Sequence, residues 1–409
     1  MGRRRWTRGG KDGGGPRRLR VLLALAGILL VAANLRAPIT AVGPLLGDIR
    51  EGVGLSAGTA GLLTAVPLLA FAGLSPLAPG LARRLGVERV LLGALALLAA
   101  GISLRSTYLP GALFAGTLAV GLAIALGNVL LPGLVKRDLP GRAGLVTGLY
   151  TATMSSVAAL ASGVSVPAAE VVGWRGALAL WAAPAGVAAL LWVSRLRSGT
   201  PEAGSARRTA ARSGLWRSPL AWQVTAFMGL QSVIFYVTIT WLPAILLEQG
   251  LGAARAGWML SLMQFVAIPA ALLAPVIAER APSQRFALVG AAGLSGAGIL
   301  GLLVFAGALP WVILLGLGQG SCISLALTLF ALRAPDAGRS AELSSMAQTF
   351  GYLLAAAGPP LFGLIRDRSG SWTLPLLALL VIAALLAASG VGAGRRARVP
   401  ASEPLPEEG

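Results

Sequence analysis

The chain has 409 residues, 56% of them hydrophobic and only 12% charged, with 34 Lys and Arg against 15 Asp and Glu. Soluble domains carry about 25% charged residues, so this composition, with a mean hydropathy of +0.78, points away from a soluble enzyme and toward an all-α membrane protein. A net charge of +19 would fit a nucleic-acid partner, but its placement along the chain excludes that reading.

Residues 1–20 are too rich in Gly and Arg to build a core and read as a disordered basic tail. They are not a cleaved leader, because the apolar segment behind them is of full spanning length. Twelve apolar segments follow, at roughly 21–46, 56–81, 88–105, 110–135, 143–168, 174–194, 219–247, 255–278, 285–306, 309–332, 341–365 and 372–393, each near the span of about 20 residues that a membrane helix needs. Of the 34 Lys and Arg, 27 fall in the two tails and in the loops after even-numbered segments. Arg50, Arg105, Arg175, Arg255, Arg366 and Arg368 fall in the alternate loops, and Arg36 stands alone. By the positive-inside rule, both termini then lie in the cytoplasm of a multi-pass plasma (inner) membrane protein. The basic charge is topological.

Residues 195–218 form the longest polar interval and read as a cytoplasmic linker between a first six-helix half, 21–194, and a second, 219–394, with a cytoplasmic tail at 395–409. The halves resemble one another at an offset of 196 positions. Pro79 to Arg84 matches Pro275 to Arg280, Gly61 matches Gly257, and the basic turn from Arg137 to Arg142 matches that from Arg333 to Arg339. Equal helix counts and matches in register favour duplication, and a carrier built from such parallel repeats holds its solute near the midplane between them.

In the first segment, Arg36 is the one charged residue placed deep inside an apolar stretch. At about 1.5 Å per residue it lies roughly 24 Å beyond Arg20 and 18 Å before Asp48. A guanidinium in hydrocarbon costs at least about 2.5–3.5 kcal/mol, so it is expected to face a bundle interior or wet cavity. Thr40 and Gly43 follow on its face at i+4 and i+7, and Pro38 has no N–H for the Asn34 carbonyl. The alternative is a purely structural Arg36 that ties helices together through a carbonyl or buried acid; no other segment offers a carboxylate at that depth. A small anionic or strongly polar solute is the natural ligand.

Other midspan polar groups are few. Asn128, Tyr150, Tyr236, Gln264, Gln319 and Gln348 can donate hydrogen bonds to a flat polar solute, and Asn34 and Thr40 flank Arg36. Any one of them alone is as readily an interhelical tie. Trp241 is a candidate for stacking on a solute, or an interfacial anchor. No Asp or Glu lies at midspan, and the chain has no His and one cysteine, Cys322, which excludes His-based proton relays, thiolate metal clusters and internal disulfides. No Walker loop, Ser–His or Cys–His set or HExxH motif is present, so no enzymatic activity, cofactor or metal is expected.

The run Asn34-Leu35-Arg36-Ala37-Pro38-Ile39-Thr40-Ala41-Val42-Gly43-Pro44 is similar to the first-helix signature of the cyanate/2-nitroimidazole transporter family within the major facilitator superfamily. The resemblance continues through Leu62 to Pro67, Trp241-Leu242-Pro243, Gly316 to Gly318, Met346-Ala347-Gln348, Gly351-Tyr352 and Ala357 to Pro359, covering about residues 20–395. It implies twelve transmembrane helices, a secondary transporter of a small polar or anionic solute working by alternating access, Arg36 as the site charge and Gln348 as its partner. The gating loop between helices two and three would hold Arg83, Arg84 and Glu88; aligned on Gly86, Arg83 stands where the superfamily carries Asp. Two other functions fit the composition: a multidrug efflux pump for apolar compounds, or a non-transporting membrane sensor. The fold calls for no protein partner, so a monomer in the bilayer is expected.

Overall fold

The computed structural model describes residues 14–139, 143–196, 214–280, 283–305, 307–335 and 337–400. The tail ends 1–13 and 401–409 and most of the expected linker, 197–213, lie outside the described residues. Fifteen α-helices and two short 3-10 turns make up the described chain, with no strand among them.

The first crossing is built in pieces. Helix α1 runs Gly14–Asn34, starting within the expected tail, and stops two residues before Ala37. Helix α2, Ala37–Thr40, restarts the chain with Arg36 as its N-cap (φ −126°, ψ −37°) and Pro38 in its first turn. A proline there loses nothing, since first-turn N–H groups have no intrahelical acceptor, whereas within a continuous helix it would strand the Asn34 carbonyl. A 3-10 turn, Gly43–Leu45, and α3, Leu46–Val53, complete the span. The second crossing is α4, Ala57–Leu74, capped by the Ser56 hydroxyl, which accepts from the Thr59 N–H; α5, Ala78–Leu85, follows it.

Ten further helices follow. They are α6 (Val87–Arg105), α7 (Ala112–Asp138), α8 (Ala143–Ala179), α9 (Ala182–Leu196), α10 (Pro219–Glu248), α11 (Ala253–Arg280), α12 (Gln284–Val304), α13 (Leu309–Arg333), α14 (Ala337–Ser369) and α15 (Thr373–Ala393). Ten helical stretches among the described residues are long and apolar enough to cross a membrane. One of them, Val146–Val193, breaks at Gly173, whose φ of 70° and ψ of 164° suit a residue without a Cβ, and so makes two crossings. Helix α14 is long enough but more polar, and completes twelve.

Packing repeats between the halves. In the first half α1 lies on α8, α4 and α6 on α7, and α6 on α9; in the second α10 lies on α14, α11 and α12 on α13, and α12 on α15. These are the same pairs moved by one half. Glu88 bonds Arg137 in the first half, and 196 positions on Gln284 accepts from Arg333 at 3.1 Å. Gly61 fits against Pro359 of α14, and its mate Gly257 against Ser162 of α8. Gly43 and Ile239, themselves 196 apart, touch: a methyl at Gly43 would overlap the Ile239 carbonyl. A residue in contact with its own repeat mate sits where the two halves meet, as a two-fold relation between them requires. Across the halves, α4 meets α14 and α8 meets α11.

Candidate functional site

A cavity of about 490 Å³ lies between the two halves, walled by the break after α1 and by α2, α4, α7, α8, α10, α11, α13 and α14. Its outline follows from which helix portions close on each other. The N-terminal part of α4 is shut against the C-terminal part of α14: Asp367 accepts from the N–H groups of Ala57 (3.1 Å) and Gly58 (2.9 Å) and pairs with Arg50 at 3.8 Å. Trp241 Nε1 donates to the Pro359 carbonyl at 2.9 Å, and the Thr64 and Thr240 hydroxyls meet at 2.9 Å. On the other flank, Gln264 Nε2 donates to Ser162 Oγ at 2.8 Å. Toward the opposite end the cavity wall continues through Pro132, Gly148, Ala271 and Leu327.

Arg36 reaches this cavity because the helix breaks beside it. As N-cap of α2 it has left the helical path, and its guanidinium borders the cavity with the Phe235 ring 5.3 Å away. Among the described residues no hydrogen bond or ion pair reaches that guanidinium. A face-on aromatic ring attracts a cation without supplying a hydrogen-bond acceptor, so the five N–H donors stay available to a ligand.

Around it stands an aromatic wall. Phe235 and Tyr236 meet edge to face at 5.1 Å, Tyr236 and Tyr352 at 6.5 Å, and Tyr352 and Phe71 at 5.7 Å, all four lining the cavity. Polar groups face it from other helices. Asn128 of α7 is exposed to the cavity, Tyr150 lines it from α8, and Gln348 of α14 lines it while donating to Ser344 Oγ at 2.8 Å. One cation, a flat aromatic surface and a few amides and hydroxyls suit a small solute with a negative or electron-rich edge.

The structure thus gathers Arg36, Thr40, Asn128, Tyr150, Tyr236, Gln319 and Gln348 around one cavity. Two of these face it only in part. Thr40 is 2% exposed, its hydroxyl bonded to the Ala158 carbonyl at 3.1 Å, and Gln319 turns its Nε2 back to Ser295 Oγ at 3.3 Å. Three expected residues lie outside the cavity wall. Asn34 points the other way, with Nδ2 on the Leu30 carbonyl at 2.8 Å, because it ends α1 one residue before the chain turns. Trp241 and Gln264 are used up in the sealing contacts above. Tyr352, a midspan hydroxyl in the chain, also lines the cavity, as do Phe71, Ser232 and Phe235, none of which stands out as a site residue in the chain. The signal for them lies in helical spacing: Met228, Ser232, Phe235 and Ile239 recur every three or four residues on one face of α10, as Gln348 and Tyr352 do on α14.

The expected gating loop is divided. Arg83 and Arg84 sit exposed on α5, while Glu88 belongs to α6 and is held by Arg137, itself bonded to Asp138 at 2.8 Å. Arg105, expected in a loop, is instead the last residue of α6 and 1% exposed; its Nη1 donates to the Pro38 carbonyl at 2.8 Å. The broken first helix therefore gives that oxygen to a protein cation, so the second arginine near the break is a structural one. No cluster of His, Cys, Asp and Glu suited to a metal occurs among the described residues.

With this geometry in hand, comparison with known proteins is specific. The model of the Major Facilitator Superfamily matches residues 24–359. An uncharacterized transporter, YycB, of Bacillus subtilis (strain 168) is 47% identical over 91% of this chain and 93% of its own. The 2-nitroimidazole transporter of Escherichia coli (strain K12) is 45% identical over 91% and 96%, and the cyanate transport protein CynX of the same organism 30% over 84% and 90%. Among solved structures, a mutant of the nucleoside transporter NupG superposes with a TM-score of 0.72 at 13% identity, covering 91% of this chain and 100% of that one.

Proposed function

The chain belongs to the Major Facilitator Superfamily, and from that premise we propose that it carries a small anionic or electron-rich planar solute across the plasma membrane by alternating access. It is a membrane transporter and not an enzyme, and its family includes the cyanate and 2-nitroimidazole transporters. The observation that carries the proposal is the Arg36 guanidinium, bordering a 490 Å³ cavity between the halves with no protein acceptor recorded on it. A cation left without a partner at that depth is costly, and a bound anion supplies the partner.

In this reading Arg36 binds the negative edge of the solute, Phe235, Tyr236 and Tyr352 cover its flat face, and Asn128 and Gln348 hydrogen-bond its rim. The basic loops put both termini in the cytoplasm. The cavity end lined by Pro132, Gly148, Ala271 and Leu327 then faces the cytoplasm, and the end closed by Asp367 and Thr64–Thr240 faces outward. The names of relatives support this solute class: a cyanate transport protein, a 2-nitroimidazole transporter and, over 89 matched residues, an anionic 4-hydroxy-benzoate permease described as putative. Each offers a planar or linear group with a negative or electron-rich edge.

A thermal-shift screen of purified wild type and Arg36→Ala tests this, with cyanate, thiocyanate, nitrate, benzoate and 2-nitroimidazole as ligands. A ligand bound only by the folded state raises the melting temperature by mass action. Wild type is expected to be stabilised by at least one of these classes and Arg36→Ala by none. Equal shifts in both proteins would make Arg36 structural and bring multidrug efflux forward.

A further inference from the structure

Resting on that reading, we infer that the carrier works by obligate exchange: its cavity changes sides only when an anion sits on Arg36, so one anion crosses for each anion returned. The inference starts from what is and is not beside the guanidinium. The contact recorded for it is the face of Phe235 at 5.3 Å, and no hydrogen bond or ion pair reaches it from the described residues. None of the described residues that line the cavity is acidic, and the chain contains no His.

Four carboxylates nearer the helix ends are committed elsewhere. Asp367 is held by the start of α4 and by Arg50, Glu248 by Arg366 at 2.7 Å, Glu342 by Arg339 at 2.8 Å, and Glu88 by Arg137. None of these four is placed to swing onto Arg36 when the solute leaves.

In the present conformation Arg36 is half-buried, so water reaches its guanidinium. To reach the opposite-facing conformation the halves must pass through a state shut at both ends, which strips that water away. A bare guanidinium in such a closed, aromatic-walled space is a desolvated and unpaired charge, the least favourable arrangement for an ion in a protein. With a monoanion on Arg36 the pair is neutral and hydrogen-bonded, and the same closure costs far less. The loaded carrier crosses; the empty one waits. Exchange of one monoanion for another moves neither net charge nor a proton, which fits a cavity with no acidic group among its described lining residues.

The test uses purified wild-type protein in liposomes preloaded with labelled cyanate, and in parallel with labelled benzoate. Valinomycin and equal potassium hold the potential at zero, and leak in protein-free vesicles is subtracted. Expected is protein-dependent efflux close to zero into anion-free buffer, rising at least tenfold when the same unlabelled anion is added outside. Imposing a potential or a pH gradient of one unit should leave the exchange rate unchanged within twofold. Fast efflux into anion-free buffer, or accumulation driven by either gradient, overturns exchange while leaving the carrier reading intact. Failure of both anions to move under any condition overturns the carriage of such anions itself, and exchange with it.

Discussion

At the scale of single residues, Arg36 was legible because a charge inside an apolar segment is a physical anomaly that composition exposes. The aromatic wall was legible only in its tyrosines, because Phe71 and Phe235 look like ordinary lipid- or core-facing residues until the helix faces are known. Asn34, Trp241 and Gln264 show the converse: polarity at midspan does not say which way a side chain points. The geometry of the head group gives a prediction. Lysine keeps the charge but replaces a planar fork of five donors by a compact, strongly hydrated point charge. Arg36→Lys is therefore expected to keep some anion binding while weakening it about tenfold or more, read as a displaced Kd in titrations of the ligand found by thermal shift. Retention of full affinity would show that charge alone is recognised.

At the scale of elements, segment positions were legible to within a few residues, since an apolar run near the spanning length has few other fates in a membrane protein. The break in the first crossing was half legible. Pro38 showed that the ladder must fail there, yet the partition into α1, α2 and α3, and the use of Arg105 to hold the Pro38 carbonyl, depend on a helix more than sixty residues away. Two predictions belong at this scale. Trp241 is fully buried and its indole donates to the Pro359 carbonyl, so Trp241→Phe leaves that carbonyl unpaired and is expected to cost about 1–3 kcal/mol, measured as a lowered thermal midpoint in detergent. At Gly43 a side chain meets the Ile239 backbone, which cannot give way as a flexible side chain would. Gly43→Val is expected to cost about 1–3 kcal/mol or more through overpacking, with a fall in folded yield; a neutral outcome would mean that α10 is free to shift at the axis.

At the scale of the whole molecule, Asp367 and the Thr64–Thr240 pair join the two halves at the closed end, whereas the Trp241–Pro359 bond lies within the second half. Asp367 is the charged member, bridging the second half to α4 and Arg50 in the first. Asp367→Ala is expected to loosen that end and favour the opposite-facing form. The buried Cys322 gives a quiet background for detecting this. A Thr240→Cys reporter, at a position 1% exposed in the sealed form, should react with a membrane-impermeant thiol reagent at least several-fold faster when combined with Asp367→Ala. An unchanged rate would show that Asp367 does not hold the gate. None of the cross-half contacts could be read from the chain alone, because each joins segments far apart in sequence and is set by how two halves meet.

The two-fold arrangement also bears on descent. Position 36 and its mate, Ser232, both border the same cavity. In a pair of identical, unfused copies, an arginine at the first position would be matched by a second arginine at the other, setting two like charges around one small chamber with no acid between them. A single chain is free of that constraint, since each half can differ from its twin. A lone cation in the chamber is thus something a symmetric homodimer could not display.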